Sequence, residues 1–273
     1  MYNCEFKLTQ LIKDMTIFVL KSQNNVLKKG ICYYEPPLVG VARAEDPLFL
    51  KLKQENIVGK AHLSPSDWLP GAKSVIAYFL PYSREIRESN YRDGYVSDEW
   101  LHARFHGEDF NNDMRHFLIE RLESLGAQAL APVLEEDYHI DYTVYGSNWS
   151  EKHVAFVAGL GTFGLNRALI TKRGSCGRLG SVITSLKIDS PEHRKTSNIH
   201  EYCFWFRDGS CGDCIKRCPA EAINSKGMDK SRCREYLLNS EQAREIKEKF
   251  NYAYNACGKC LTNVPCEDCF TVI

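Results

Sequence analysis

The sequence has no net charge: 35 Lys and Arg residues balance 35 Asp and Glu over 273 positions. A protein whose main task is to wrap nucleic acid usually has a strongly basic balance, so that class is set aside. Long apolar runs are missing too. The longest near the start, Met15 to Leu20, is bounded by Lys13, Asp14 and Lys21, far short of the roughly 18 residues a membrane span needs. No basic start leads into a small-residue cleavage site, so neither a signal peptide nor a membrane partner is expected. There are no internal repeats and no low-complexity segment. Hydrophobic residues at 44% and charged residues at 26% exclude disordered and collagen-like classes.

Cysteine is the residue in excess. Of 12 cysteines, Cys4, Cys32 and Cys176 are scattered, and the other nine lie between residues 203 and 269. Without a signal peptide the chain is expected in the cytoplasm, where disulfides are rare and clustered cysteines bind metal.

The patterning upstream predicts an α+β fold. A helix is expected over residues 5–20. Short strands are expected over 38–42, over 73–80 after the Pro70-Gly71 turn, and over 179–186. The near-continuous apolar character of 73–80 suggests a strand covered on both faces. Met114, Phe117, Leu118, Leu122 and Leu125 recur at three and four residues, which predicts a helix from about 108 to 125. The polar stretch 190–200 has no periodicity. It divides the chain into an N-terminal mixed-sheet domain flanked by helices, residues 1–196, and a small ferredoxin-like double-cluster domain, residues 197–273. One helix is expected in the latter over 229–250.

Cys211-x2-Cys214-x3-Cys218-Pro219 is most of the ferredoxin motif C-x2-C-x2-C-x3-C-P. Thiolates two residues apart on a tight turn reach different irons of one cube, and the turn's amides donate to the cluster sulfurs. The cysteine before proline points away to a second cluster. A second half-motif, Cys257-x2-Cys260-x5-Cys266, follows. Zinc ribbons show paired C-x2-C without the third cysteine and the Cys-Pro. Two 4Fe-4S clusters need eight thiolates. The expected sets are Cys203, Cys211, Cys214 and Cys266 for one, and Cys218, Cys233, Cys257 and Cys260 for the other, with Cys269 spare. The motif's first cysteine would fall on Asp208, so Asp208 and Cys269 are the alternatives to Cys203. A zinc ribbon using four of the nine is the plainer reading.

The segment Cys211 to Cys269 resembles the double-cluster module of the epoxyqueuosine reductase family, and Arg232-Cys233 stands where that family has an Arg-Cys within a helix. Upstream, Pro70-Gly71-Ala72 before a strand is similar to the same family. So are Glu151, Ala158-Gly159-Leu160-Gly161-x2-Gly164-x-Asn166, Gly174-Ser175 and Leu179-Gly180-x3-Thr184. The resemblance covers roughly residues 35–270. It implies an oxidoreductase related to reductive dehalogenases, in which two clusters pass electrons one at a time to cobalamin and reduced cobalt attacks the substrate. It implies that Gly159, Gly161, Gly164 and Asn166 bind the cofactor, since a backbone without Cβ lets a flat ring approach closely. The implied partners are a reduced ferredoxin or flavodoxin as electron donor and a small-molecule or modified-nucleoside substrate. In two respects the sequence departs from the family. Tyr145 stands where the family has an acidic residue that protonates the substrate. The helical repeats that help the family hold tRNA do not follow the cluster module. Both weigh against tRNA as substrate. The alternative to an enzyme is a ferredoxin-like electron carrier with no corrinoid.

Other signals have plainer readings beside them. Gly159-x-Gly161-x2-Gly164 matches the dinucleotide fingerprint, but the preceding residues read as a helix rather than a strand; the same glycines also suit a tight structural turn. Tyr145, with a phenol pKa near 10, is the candidate proton donor by analogy with reductive dehalogenases; otherwise it is a half-buried strand tyrosine. Asp141 and Glu151 are further acids, each read first as a surface or capping carboxylate. Asp137-x-His139 begins a cobalamin motif that fails at Tyr142, leaving His139 a surface histidine. Arg167, Lys172, Arg173 and Arg178 could pair with phosphate or belong to a solvated loop. Cys176 is read as structural.

Overall fold

A computed structural model describes residues 8–28, 30–189 and 198–269. Cys4 and the expected boundary at 196/197 lie outside the described residues. The N-terminal part is built round four strands: β1 (Leu38–Arg43), β2 (Ser74–Pro81), β3 (Ala129–Leu130) and β6 (Gly177–Thr184). Their order is β1-β2-β6-β3. Strands β4 (Gly161–Phe163) and β5 (Leu169–Thr171) form a separate hairpin.

Helices α1 (Leu8–Lys21) and α2 (Asp98–Glu123) cover one face of the sheet, and α3 (Glu151–Val157) covers the other. Every residue of β2 is buried. Its period-two alternation divides the core: Ile76, Tyr78 and Leu80 join Trp100, Phe110, Met114 and Leu118 of α2, while Val75 and Ala77 join Val154, Ala155 and Val157 of α3. The α+β class therefore holds, with helices on both faces. Within it, the sheet expected to be mixed pairs antiparallel at every junction. A strand covered on both faces reads as continuously apolar whichever way its neighbours run, so the pattern of β2 carries no directional information.

Two helix boundaries differ from expectation. Helix α2 starts ten residues before the expected 108, capped by Ser97, whose hydroxyl accepts the Trp100 amide at 3.1 Å. Its buried stripe continues back through Ala103 to Trp100. The single helix expected over 229–250 is two, α4 (Lys230–Asn239) and α5 (Glu241–Phe250). Ser240 between them is extended, at φ −61° and ψ 158°, and caps α5 by accepting the Ala243 amide. Buried Asn255 donates to the Tyr236 carbonyl and the Ser240 hydroxyl, fixing the corner.

The cysteine-rich part packs tightly on the N-terminal part. Trp100 Nε1 donates to the Ala256 carbonyl at 2.8 Å. Buried Lys259 donates to the Asn90 carbonyl and side chain and to the Arg92 and Tyr95 carbonyls. No helix among the described residues is long and apolar enough to cross a membrane.

Candidate cluster sites and the adjoining cleft

Short elements turn the cysteines inward. Cys203 precedes the helix Phe204–Asp208, Cys214 lies in the helix Asp213–Lys216, and Cys233 lies in α4. Cys203, Cys211, Cys214 and Cys266 line one small void, closed by Leu165 and Trp205. Cys218, Cys233, Cys257 and Cys260 line a cavity of about 500 Å³ with Met228 and Tyr236. These are the two groups of four named from the spacing. Asp208 is exposed and accepts the Ser210 amide at 2.9 Å, and Cys269 is exposed; neither lines either space.

The thiols within each group act on one another. Burial, with Cys266, Cys211 and Cys203 adding, pushes the Cys214 thiol up to about 12. Burial, with Cys257 and Cys218, pushes Cys233 up to about 11. Burial and the neighbouring Cys203 and Cys211 push Cys266 up to about 11 against the Ser175 hydroxyl. Bare thiolates here would be buried and mutually repelling, a state that a cationic centre relieves. Donors already face the sulfurs: the Ala222 amide lies 3.3 Å from Cys218 Sγ, and the Ser175 hydroxyl 3.8 Å from Cys266 Sγ. Among the described residues no three His, Cys, Asp or Glu side chains gather as round a single ion. Each group instead spreads four soft sulfurs round a space. That donor set suits an iron–sulfur cube, in which each thiolate takes a different iron.

Arg104, Lys152, Ala168, Tyr254 and Leu261 line both the second cysteine space and an adjoining cavity of about 620 Å³. The polar wall of that cavity comes from three elements: Glu108 and Arg115 of α2, Glu151 at the start of α3, and Arg178 of β6. Arg115, 1% exposed, pairs with Glu108 at 2.8 Å and with Glu151 at 3.5 Å. Arg178 pairs with Glu108 at 3.3 Å. Ser181 donates to Glu151 at 2.6 Å and accepts from Trp149 Nε1 at 2.9 Å. Burial opposes the Glu108 carboxylate, but Arg178 and Arg115 outweigh it and hold its carboxyl below the usual range. Burial pushes the Glu151 carboxyl up, against Arg115 and Ser181. Two carboxylates driven in opposite directions are the pattern of an acid beside a fixed charge.

The other residues named from sequence lie as follows. Tyr145 is in a turn at φ +54°, between the paired segments Ile140–Asp141 and Gly146–Ser147, rather than in a strand. Its hydroxyl is 2.9 Å from Ser231 of α4, and it does not line the large cavity. Gly159 ends α3 at φ +78°. Gly161 is in β4, where a Cβ would come within 2.1 Å of the Ile170 carbonyl oxygen, so packing within the hairpin requires glycine there. Gly164 lines the first cysteine void. Asn166 lines both cysteine spaces and donates to the Cys260 carbonyl at 2.7 Å. The glycine segment follows a helix and enters a hairpin, so the dinucleotide context is missing. Asp141 is an exposed carboxylate accepting from Thr143, and His139 is exposed. Arg173 pairs with Glu35. Cys176 is fully buried, and burial raises its thiol well above the ordinary range, as suits an inert side chain. Sequence reasoning gave Glu151 a lesser role and passed over Glu108 and Arg115. The seven-residue spacing of those two puts them on one helical face, but Glu151 joins them only through the fold.

No family model matches the chain. An epoxyqueuosine reductase from Bacillus cereus is 28% identical over 209 residues, covering 74% of this chain and 50% of its own length. The chain resembles the epoxyqueuosine reductases. It spans about half the length of that relative. A solved selenomethionine-labelled epoxyqueuosine reductase superposes with a TM-score of 0.53 at 20% identity, over 96% of this chain and 66% of the other. An epoxyqueuosine reductase solved with an epoxyqueuosine-modified tRNA-Tyr stem loop gives 0.50 at 21% identity, over 96% and 66%. A catabolic reductive dehalogenase gives 0.53 at 16% identity, over 86% of this chain and 30% of the other. The fold is thus shared with epoxyqueuosine reductases and with a reductive dehalogenase.

Proposed function

We propose that the chain is an iron–sulfur oxidoreductase of the epoxyqueuosine reductase type, acting on a small molecule or modified nucleoside in the cleft. Cys203, Cys211, Cys214 and Cys266 would hold one 4Fe-4S cluster, and Cys218, Cys233, Cys257 and Cys260 the other. The observation that carries the reading is that the second cysteine space adjoins the cavity walled by Glu108, Arg115 and Glu151, with Arg104, Lys152, Ala168, Tyr254 and Leu261 lining both. When bound, the clusters would supply single electrons, and a corrinoid in the adjoining cavity a strongly reducing cobalt.

The chain's own residues divide the remaining work. Arg115 and Arg178 keep Glu108 ionised and so hold a fixed negative charge in the wall. Burial raises the Glu151 carboxyl, which makes it the candidate acid of this wall, and Ser181 orients it by donating to one of its oxygens. Tyr145 is the other candidate donor, but its bond to Ser231 turns it towards α4. Phe79, Val133 and Trp149 add apolar surface to the cleft beside the acid.

The filled space at Gly161 favours one rival, the electron carrier without corrinoid. Analysis of anaerobically prepared protein separates the two. The enzyme reading expects about eight irons and eight sulfides per chain and the visible spectrum of added cobalamin shifted by binding. Clusters without cobalamin binding leave the carrier. Zinc with no sulfide ends both.

A further inference from the structure

Lys152, Arg167 and Lys230 form the wall between the second cysteine space and another cavity of about 590 Å³, and all three line both. Neither lining includes an aspartate or glutamate, while Arg104 adds a cation to one and Lys51 to the other. That is unusual in a chain of zero net charge, whose other basic side chains are widely paired: Arg115, Arg173, Arg178 and Arg217 each meet a carboxylate. Among the described residues, none of the three has a carboxylate within ion-pair reach. Lys152 donates only to the Arg167 carbonyl at 3.4 Å, and Lys230 to the Tyr145 carbonyl at 2.9 Å. They also repel one another: burial first, then Lys230 and Arg167, brings the Lys152 ammonium down to about 8. The 590 Å³ cavity has an apolar side as well, from Leu52, Ile57, Phe156 and Phe163. Converging cations beside an apolar wall suit an anion attached to an apolar or aromatic body.

We propose that Lys152, Arg167 and Lys230 are a subsite for the phosphate group of a ligand that lies across the cleft. The phosphate is carried either by a nucleotide-like substrate or by the nucleotide loop of a corrinoid. Which of the two it is rests on the function proposed above; the subsite does not.

The test uses anaerobic, cluster-loaded protein with adenosine monophosphate and adenosine as probes, followed by calorimetry. Adenosine monophosphate should bind and adenosine should not, with affinity falling as salt rises. Arg167→Met and Lys230→Met should each weaken adenosine monophosphate about tenfold, the loss of one charge-assisted contact. Iron content should hold in both variants, and Arg167→Met should melt no lower than the parent, because removing one of three repelling charges relieves the unliganded state. Preloading with cobalamin assigns the phosphate. If cobalamin blocks adenosine monophosphate, and Arg167→Met weakens cobalamin but not cobinamide, the phosphate is the cofactor's. If adenosine monophosphate binds beside cobalamin, or binds where cobalamin does not bind at all, it is the substrate's. Equal binding of adenosine and its monophosphate, or variants that bind the monophosphate as the parent does, would overturn the proposal. Loss of iron in the variants would also overturn it, by making the cations counter-charges of the cluster.

Discussion

Asn166 donates its side-chain amide to the Cys260 carbonyl at 2.7 Å, while its own side-chain oxygen accepts the Ala168 amide at 3.1 Å. One buried amide thus joins the glycine-rich loop to the segment carrying Cys257 and Cys260, and it borders both cysteine spaces. Asn166→Ala leaves a partly buried carbonyl and amide without partners, at a cost of about 1 kcal/mol. The expected outcome is a lower denaturant midpoint and faster loss of iron under chelator. Iron retention equal to the parent's would show that the loop does not support the second cluster.

The cysteines can be tested in crossed pairs. Cys214→Ser should damage one cluster and Cys218→Ser the other, although the two lie only four positions apart. Electron paramagnetic resonance of the reduced variants should show complementary losses. Iron should fall in Cys203→Ser and hold in Cys269→Ser and Asp208→Ala, because the latter two side chains face solvent. Loss of the same signal in both Cys214→Ser and Cys218→Ser would refute the crossed arrangement.

Glu151 and Tyr145 make opposite predictions about the proton. With Glu151 as donor, Glu151→Gln should slow turnover by about 100- to 10,000-fold with clusters intact, and Tyr145→Phe should have little effect. Burial raises the Glu151 carboxyl, so the acid form persists at low pH and is lost as pH rises through the raised value. The rate of the parent should therefore fall on the alkaline side, and that limb should vanish in Glu151→Gln. The reverse pattern in the two variants would return the role to Tyr145.

Acid should destabilise the protein through two histidines. Burial, aided by Lys53, lowers His62 to about 4. Burial, aided by Lys152 and His62, lowers His153 to about 3. Their unfolded value is near 6.5. A depressed histidine binds its proton more readily unfolded, so its stabilising effect is complete above 6.5 and is lost as pH falls towards the folded value. Melting temperature should drop between pH 6.5 and 4. His62→Gln should flatten part of that drop; a parent protein with flat stability over this window would contradict the burial of both rings.

Gly161→Ala should fail structurally. Its Cβ would meet the Ile170 carbonyl at 2.1 Å, against backbone that cannot step aside, and overpacking of this kind costs about 1–3 kcal/mol. Gly164→Ala meets the Asn166 side-chain oxygen at 2.8 Å, an atom held by the Ala168 amide but free of the backbone, and should cost less than the backbone clash at Gly161. Thermal melts of the two in parallel decide the order.

Much of the chain declares itself locally. The apolar run of β2 and the stripe of α2 are properties of neighbouring residues, and the spacing of Cys211, Cys214 and Cys218 is enough to name a cluster motif. The proline after Cys218 also set that cysteine apart from Cys211 and Cys214, as the cavity linings place it. Strand direction was not legible, since burial on two faces erases the alternation that would have informed it. Nor was the cavity wall. Glu108, Arg115 and Glu151 come from two helices on opposite faces of the sheet and meet only at the edge of β6, where Leu179 and Ser181 supply the remaining contacts. A carboxylate's chemistry depends on how much water it loses and which cations replace it, and both are set by distant parts of the chain. The sequence determined which cysteines stand at cluster-motif spacing; the tertiary structure alone decided which acid faces the space beside them.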